Sequence, residues 1–244
     1  GGNLNEEYAA CFILAALLCA VSAFDREDWA PLRKLALPAF GMGAMTMLAF
    51  LLRANNALSL LGLTAGLALA LLAGRRFADL GFCALGFLCG CALACAPVLL
   101  WLGAQGALGE AVYGSIIHNM MYAQTDGIGR VQALLATGYG HTALALAALS
   151  CLGALAHALR APGGSFRLTG RTALCLSLVL ATAAAGMSAF ISHKYYTHYL
   201  MALVPLAALG TVMLLGALPA RRVVTGTAAA VCCLALVAGG AAAN

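Results

Sequence analysis

Eight apolar runs of roughly membrane-spanning length follow one another along this chain, and they limit its fold more than any other feature. Crossing the hydrocarbon core of a bilayer takes about 20 predominantly apolar residues in a helix. The runs are Tyr8–Phe24, Leu35–Leu52, Ala57–Ala73, Leu80–Leu102, His141–Leu159, Thr172–Ile191, Leu200–Leu218 and Val223–Gly240. They predict an all-α, polytopic membrane protein with about eight transmembrane helices in a single domain over residues 1–244. Their many Gly and Ala residues predict close helix–helix packing.

The composition excludes a soluble protein. The chain is 64% hydrophobic and 9% charged, whereas soluble domains are about half apolar and a quarter charged. A soluble fold of this size would leave far too much apolar surface in water. The small excess of basic residues is therefore interpreted as loop charge that sets membrane orientation, and no nucleic-acid partner is predicted.

The basic residues alternate along the chain. The loops after spans one, three, five and seven carry 10 of the 13 basic residues: Arg26, Arg33, Lys34, Arg75, Arg76, Arg160, Arg167, Arg171, Arg221 and Arg222. The loops after spans two, four and six carry Arg53, Arg130 and Lys194. Because basic loops stay in the cytoplasm, the second set is predicted to be extracytoplasmic. The protein is expected to lie in the cytoplasmic membrane with its active face outside.

The one long connection, residues 103–140, is predicted to lie on the extracytoplasmic side. Within it Leu108, Val112, Ile116 and Met120 recur every fourth residue, which predicts an amphipathic helix in the membrane interface. A second short interfacial helix is expected over Val131–Thr137. Two interpretations of the polar residues His118, Asn119 and Tyr122 stay open. They either contact substrate or form the water-facing side of the first helix.

A dense polar cluster precedes the seventh span. Residues 193–199 contain His193, Lys194, Tyr195 and His198, with two further tyrosines, between long apolar runs. A lysine ammonium can bind an anion, and histidine can donate hydrogen bonds or titrate near neutral pH. An aromatic belt with a snorkelling lysine explains the Tyr and Lys residues. It explains the two histidines less well, so a functional site is favoured.

Two other polar groups are predicted to share this extracytoplasmic face. Glu6 and Glu7 are either ligands for a metal or sugar, or acids that favour the positive end of a helix capped by Asn5. Arg53 and Asn56 lie in a short turn that either binds a phosphate or sugar, or simply anchors the interface.

Two motifs resemble a known family. The segment His-Lys-Tyr-Tyr-Thr-His-Tyr-Leu-Met-Ala-Leu-Val-Pro from 193 resembles the "HYxLxLxPxLALL" segment of GT-C fold membrane glycosyltransferases, and Gly2-Asn-Leu-Asn-Glu-Glu-Tyr-Ala9 is similar to a "GNLTEEYAL" stretch, with Asn5 in place of Thr. The resemblance is closest to the bacterial family 39-like branch, similar to protein O-mannosyltransferases and aminoarabinose transferases. It rests on about 25 residues, with the pattern of spans extending it loosely.

The resemblance implies transfer of a sugar from a polyprenyl-phosphate donor to an acceptor lipid, glycan or protein in the cell envelope. It implies donor phosphate binding by Lys194, His198 and Arg53. Glu6, Glu7, His193, Tyr195 and Asn56 are the further candidates for contact with substrate or metal. Membrane lipids are expected partners. No cofactor follows from the sequence itself, and Mg²⁺ or Mn²⁺ is the only candidate that the family suggests.

The chain departs from the family in one respect. Members carry an acidic motif, the expected catalytic base, in the first outer loop, and no acid here matches it. We therefore expect the chain to be a piece of a longer protein, with the catalytic base upstream of Gly1. The piece is expected to be inactive alone, and added Mg²⁺ or Mn²⁺ is not expected to restore turnover. The rival predictions are a transporter or flippase of a lipid-linked or small polar solute, and a structural subunit.

Overall fold

The computed structural model describes residues 5–117, 137–160, 168–191 and 197–217, and in this part of the chain every regular element is helical. The long helices are α1 (Asn5–Phe24), α2 (Ala36–Leu52), α3 (Leu58–Ala73), α4 (Phe77–Ala104), α6 (Gly138–Ala158), α7 (Gly170–Ile191) and α8 (Leu203–Ala217). A five-residue helix, α5 (Leu108–Val112), follows α4. The all-helical polytopic prediction is confirmed for these residues.

Six segments of this part of the chain are long and apolar enough to cross a membrane: Asn5–Phe24, Ala54–Ala73, Phe77–Ala104, Gly138–Ala158, Gly170–Phe190 and Thr197–Ala217. The helix over Ala36–Leu52 is apolar but shorter, at 17 residues. The eighth predicted span, Val223–Gly240, lies outside the described residues. The protein is thus an integral membrane protein with six candidate spans, and the number eight remains a prediction.

Short 3₁₀ turns adjoin two of the spans. Ala54–Ala57 forms one such turn before α3, and Thr197–Ala202 forms another before α8. Each turn continues into the following helix, which brings these segments to 20 and 21 residues. The second and third spans are therefore separated by Arg53 and a tight turn, as predicted from the short polar stretch 53–56.

The helices pack as two groups joined through α1. In one group α2 lies between α1 and α4, and in the other α7 packs against both α3 and α6 while α8 packs against α6. Helix α1 also contacts α7 and the 3₁₀ turn before α8. The core between them consists mainly of Leu and Ala side chains, with Ile13, Leu63, Leu174 and Leu178 almost wholly buried.

Glycine allows close approach at several of these crossings. A Cβ on Gly153 of α6 would collide with the Gly210 carbonyl oxygen on α8, and a Cβ on Gly66 of α3 would collide with Ser177 on α7. The hydrophobic effect does not drive helices together in lipid, so they associate through such tight packing of small residues. The predicted role of the small residues in close packing is confirmed at these crossings.

The predicted interfacial loop is described only in part. Helix α5 begins at Leu108 as expected, and Tyr113–Ile117 continues it as one turn of π-helix. Leu108 and Val112 are both about half exposed. The remainder, including His118, Asn119, Tyr122 and most of the second predicted helix, lies outside the described residues.

Candidate functional site

The candidate site is centred on Arg53, at the turn between α2 and α3. Its backbone is extended (φ −167°, ψ 130°) and ends α2, while its amide still donates to the carbonyl of Ala49 at 3.1 Å. The Asn56 amide donates in turn to the Arg53 carbonyl at 2.9 Å, which closes the 3₁₀ turn. The turn thus holds the arginine side chain at the end of the helix bundle.

Two side chains from distant parts of the chain bind the guanidinium. Arg53 Nη1 donates to Glu6 Oε1 on α1 at 2.9 Å, and Nη2 donates to the Tyr199 hydroxyl at 3.3 Å. The guanidinium carbon also lies 4.6 Å from the centroid of the Tyr199 ring, within the range of a cation–π interaction. Arg53 therefore connects three segments, which are the first turn of α1, the α2–α3 turn and the segment before α8.

This ion pair is largely removed from solvent. Glu6 is only 8% exposed, and the Arg53 side chain is 30% exposed. Burial alone lowers the pKa of Arg53, but the hydrogen bonds to Tyr199 and Glu6 outweigh it and the net pKa is raised. The arginine stays positively charged while one edge remains open to a ligand.

A small cavity of about 10 Å³ adjoins this cluster. Its lining residues come from four helical segments and are Glu6, Ala9, Arg53, Asn55, Asn56, Ser188, Tyr199 and Ala202. A cavity of this volume has room for about one water molecule. Ser188 Oγ donates to the Asn55 carbonyl at 3.1 Å. Asn56 is buried, and its Nδ2 has no hydrogen-bond partner among the described residues. The site thus offers an unused amide donor close to a guanidinium.

The structure brings several of the predicted residues together and separates others. Arg53, Glu6 and Asn56 share the cavity. His198 is half-buried, and its ring centroid lies 4.5 Å from that of Tyr199. Glu7 is exposed. His193, Lys194 and Tyr195 lie outside the described residues, so their predicted roles stay predictions.

The catalytic base expected upstream of Gly1 also stays a prediction. Gly1 and residues 2–4 lie outside the described part of the chain, which begins at Asn5. Within that part, Glu6 is the buried acid closest to Gly1, and its carboxylate already accepts a hydrogen bond from Arg53. Because Arg53 already occupies this carboxylate, Glu6 is poorly placed to replace the expected base.

The interpretation of Glu6 and Glu7 as an acidic helix start agrees with the structure, because both lie in the first turn of α1. Asn5 lies within α1 rather than before it, so the capping role predicted for Asn5 is not seen. Glu6 is in addition buried and paired with Arg53. Binding of a metal or sugar by these two acids stays a prediction.

Two residues of the site are not identified as site residues by the sequence. Tyr199 belongs to the polar cluster, and its position directly after His198 is the available signal. Ser188 lies inside an apolar run near the end of α7, and nothing in the sequence distinguishes it.

The opposite ends of the same helices carry a second polar cluster, formed by Asp25, His157 and Arg171. His157 Nε2 lies 2.7 Å from Asp25 Oδ1, and Arg171 Nε lies 3.8 Å from the same oxygen. Hydrogen bonding to His157 outweighs burial, and together with Arg171 it lowers the pKa of Asp25. The sequence assigns no function to His157 and uses the charges of this cluster only to predict topology. In the structure the three residues join α1, α6 and α7.

We call these two ends of the bundle the Arg53 face and the Asp25 face. Glu6 lies in the first turn of α1 and Asp25 follows its last residue, while Tyr199 precedes α8 and His157 is near the end of α6. The alternating loop charges predict this division of residues between two faces.

The described residues do not assemble a metal site. Among them, no three His, Cys, Asp or Glu side chains come together. Mg²⁺ prefers six oxygen ligands in near-octahedral geometry, usually with a carboxylate, and the Glu6 carboxylate already binds Arg53. Binding of Mg²⁺ or Mn²⁺ by this protein stays a prediction.

Comparisons with protein-family models, with curated proteins and with solved structures found no match to this chain.

Proposed function

We propose that this chain belongs to a membrane glycosyltransferase and that its Arg53 face binds the phosphate of a polyprenyl-phosphate sugar donor. The observation that carries the proposal is the Arg53 guanidinium, which is fixed by Glu6 and Tyr199 beside the buried amide of Asn56. In the proposal this face is extracytoplasmic, and the membrane is the cytoplasmic membrane.

Arg53 keeps hydrogen-bond donors that its two partners do not use. Each terminal nitrogen of a guanidinium carries two hydrogens, and Nε carries one. Glu6 and Tyr199 each take a single N–H, from Nη1 and Nη2 respectively. The remaining N–H groups, with Asn56 Nδ2, suit the oxygens of a phosphate ester, and planar guanidinium groups bind phosphate at two points.

Glu6 and Tyr199 act as positioning residues in this proposal. The carboxylate fixes the guanidinium in one rotamer, so less conformational entropy is lost when the phosphate binds. The aromatic ring of Tyr199 packs against the guanidinium and limits water access. Because Arg53 already engages Glu6, the proposal assigns donor binding to this cluster and does not assign proton abstraction to Glu6.

A transporter or flippase is the second candidate, and the helix interiors argue against it. Transporters place broken helices and polar groups near the bilayer midplane. In the described residues, the buried hydroxyls of Thr46 and Ser177 donate to carbonyls of their own helices at 2.8 and 2.7 Å, and buried Ser150 pairs with Thr182 of the neighbouring helix. The charged clusters lie at the two ends, which favours chemistry at an interface.

The test uses the full-length protein in detergent or liposomes with a polyprenyl-phosphate sugar. Replacement of Arg53 by Gln should raise the KM for the donor by about tenfold or more, the factor expected from loss of a charge-assisted hydrogen bond. Lys194→Ala and His198→Ala should also weaken donor binding. Lys34→Gln, an exposed basic residue near the Asp25 face, is the control and should leave the KM unchanged.

An unchanged donor KM in Arg53→Gln, Lys194→Ala and His198→Ala would remove the assignment of the site. Absence of any sugar transfer by the full-length protein, combined with solute flux across liposomes that contain it, would replace the transferase by the transporter. If the chain is instead a structural subunit, none of the three substitutions should change the activity of the complete protein.

A further inference from the structure

We infer that a cavity between α2, α3 and α4 is a binding site for an acyl chain of an anionic phospholipid, whose headgroup lies at Arg75. The cavity has a volume of about 510 Å³, within the range of roughly 300–1,000 Å³ that is usual for ligand pockets. It is separate from the Arg53 cluster, so it does not depend on the proposed glycosyltransferase function.

The lining places the cavity within the hydrocarbon region and toward the Asp25 face. Representative lining residues are Phe24, Met42, Leu61, Leu71, Leu80 and Leu88. Phe24 ends α1, Leu80 follows the start of α4 closely, and Leu71 is near the end of α3. Because a helix rises about 1.5 Å per residue, the α3 lining from Leu61 to Leu71 extends over roughly 15 Å, about half of the hydrocarbon thickness.

The chemistry of the lining favours an apolar occupant. Among the described residues that line the cavity, Thr64 alone has a hydroxyl, and its Oγ1 is 3.0 Å from the Leu60 carbonyl and 3.1 Å from the Leu61 carbonyl of its own helix. A buried water needs two or more polar partners, and large apolar cavities stay dry and take up apolar molecules. In a bilayer, the apolar molecule present at this depth is a lipid chain.

The charge near the cavity indicates which class of lipid binds there. The turn that joins α3 and α4 contains two arginines, Arg75 and Arg76. Arg76 pairs with Asp79 and lies 5.2 Å from the centroid of the Trp29 ring, so its charge is already engaged. Arg75 is exposed, and no ion pair joins it to another residue in the described ranges.

Arg75 lies in the turn that follows α3, four residues after the cavity-lining Leu71. It adopts a positive φ of 55°, and its amide donates to the Leu72 carbonyl at 3.0 Å, directly after the helix that lines one wall. Basic groups between or beside transmembrane helices attract acidic lipid headgroups. An uncompensated cation at one end of an apolar cavity matches an anionic phospholipid better than a neutral one.

The experiment measures lipid binding to the purified full-length protein. Native mass spectrometry in mild detergent should show one retained phospholipid, and titration of the delipidated protein should give tighter binding of phosphatidylglycerol than of phosphatidylcholine. Ala65 and Ala68 line the cavity, and their joint replacement by Leu fills it. Binding should then fall by about tenfold, as expected when roughly two methylene groups lose their apolar contacts.

Two further variants distinguish binding of the acyl chain from binding of the lipid headgroup. Ala73→Leu, an exposed residue of α3 outside the lining, is the matched control and should bind like the wild type. Arg75→Gln should weaken phosphatidylglycerol by about fivefold while leaving phosphatidylcholine unchanged. Thermal unfolding in the same detergent checks that each variant is folded.

Three results would overturn the inference. The first is the absence of any retained or rebound phospholipid in the wild-type protein. The second is equal affinity for the two lipids with no effect of Arg75→Gln. The third is undiminished binding in the folded Ala65→Leu and Ala68→Leu double variant.

Discussion

The carboxylate of Glu6 accepts a hydrogen bond from Arg53 Nη1 at 2.9 Å, across 47 positions of sequence. This contact joins the first turn of α1 to the turn between α2 and α3. Glu6 is buried, so removal of either partner leaves the other charge in a poorly solvated position. The ion pair therefore joins these two segments and also fixes the position of Arg53, the proposed phosphate-binding group.

Replacement of Glu6 by Gln should destabilise the protein by about 1–3 kcal/mol, below the range for fully buried pairs because Arg53 is partly exposed. The apparent Tm in detergent should fall by roughly 2–12 °C. Glu7→Gln is the matched control, since Glu7 is exposed on the same turn. A Tm fall in Glu7→Gln equal to that in Glu6→Gln would contradict the role of the pair. A double-mutant cycle with Arg53→Gln gives the coupling directly.

The lowered pKa of Asp25 predicts an acid-dependent loss of stability. The hydrogen bond from His157 favours the carboxylate in the folded protein, so the folded pKa lies below the ordinary value of 3.8. The stabilisation is fully present above the ordinary pKa and is lost as the pH falls through the folded pKa. The stability difference between wild type and Asp25→Asn should therefore shrink as the pH falls from about 5 toward about 3.

Thermal unfolding of both proteins at several pH values measures this difference. Asp28→Asn is the control, because Asp28 is exposed and forms no ion pair with the described residues. A stability difference for Asp25→Asn that does not change with pH would show that the carboxylate makes no specific contribution.

The crossing of α6 and α8 should not tolerate a larger residue at Gly153. A Cβ there would collide with the backbone of Gly210, which has no flexible side chain to move aside. Gly153→Ala should cost about 1–3 kcal/mol through overpacking. At Gly186 of α7, a Cβ meets no atom within 4 Å among the described residues. Gly186→Ala should therefore leave the Tm unchanged or raise it slightly, and a loss as large as that in Gly153→Ala would contradict the packing.

A hydroxyl pair links α6 and α7 inside the membrane. Ser150 Oγ and Thr182 Oγ1 are 2.7 Å apart and buried, and Thr182 Oγ1 also donates to the Leu178 carbonyl at 2.7 Å. Because Thr182 has one hydroxyl hydrogen, Ser150 is the donor within the pair. Ser150→Ala should cost about 0.6 kcal/mol and at most ~1.7 kcal/mol, the range for interhelical hydrogen bonds in membranes.

The control for this pair is Thr211→Val on α8, whose hydroxyl donates only to Ala207 of its own helix in the described structure. Unfolding of Ser150→Ala, Thr182→Val and the double variant in a double-mutant cycle measures the coupling. A coupling energy of zero would show that the two hydroxyls do not stabilise each other.

Element positions agree well with the sequence because the signal for a membrane span is local. The predicted run Leu80–Leu102 corresponds to α4 (Phe77–Ala104), and the predicted run Thr172–Ile191 corresponds to α7 (Gly170–Ile191). A span needs only a continuous apolar stretch of sufficient length. The ends differ by a few residues because 3₁₀ turns and polar first turns extend the helices beyond the apolar run.

Pairing between the helices is not predictable in the same way. His157 has no role that its sequence context indicates, yet it binds Asp25 across 132 positions of sequence. Soluble helices reveal their packed face through a polar stripe. These helices are apolar on every side, because both lipid and neighbouring helices accept Leu and Ala. No sequence pattern therefore indicates how each helix is rotated about its axis.

Local hydrophobicity and loop charge are enough to establish a helical integral membrane protein, the approximate ends of the described spans, and the grouping of Glu6, Arg53 and Tyr199 on one face. Residues carry these properties wherever they pack, so no tertiary information is needed to read them. The contacts of Glu6 and Tyr199 with Arg53, the burial of Asn56 beside them and the pairing of Asp25 with His157 emerge only from the folded bundle. They depend on helix rotation and on glycine-mediated approach of the helices, which are set by the packing of all the helices together.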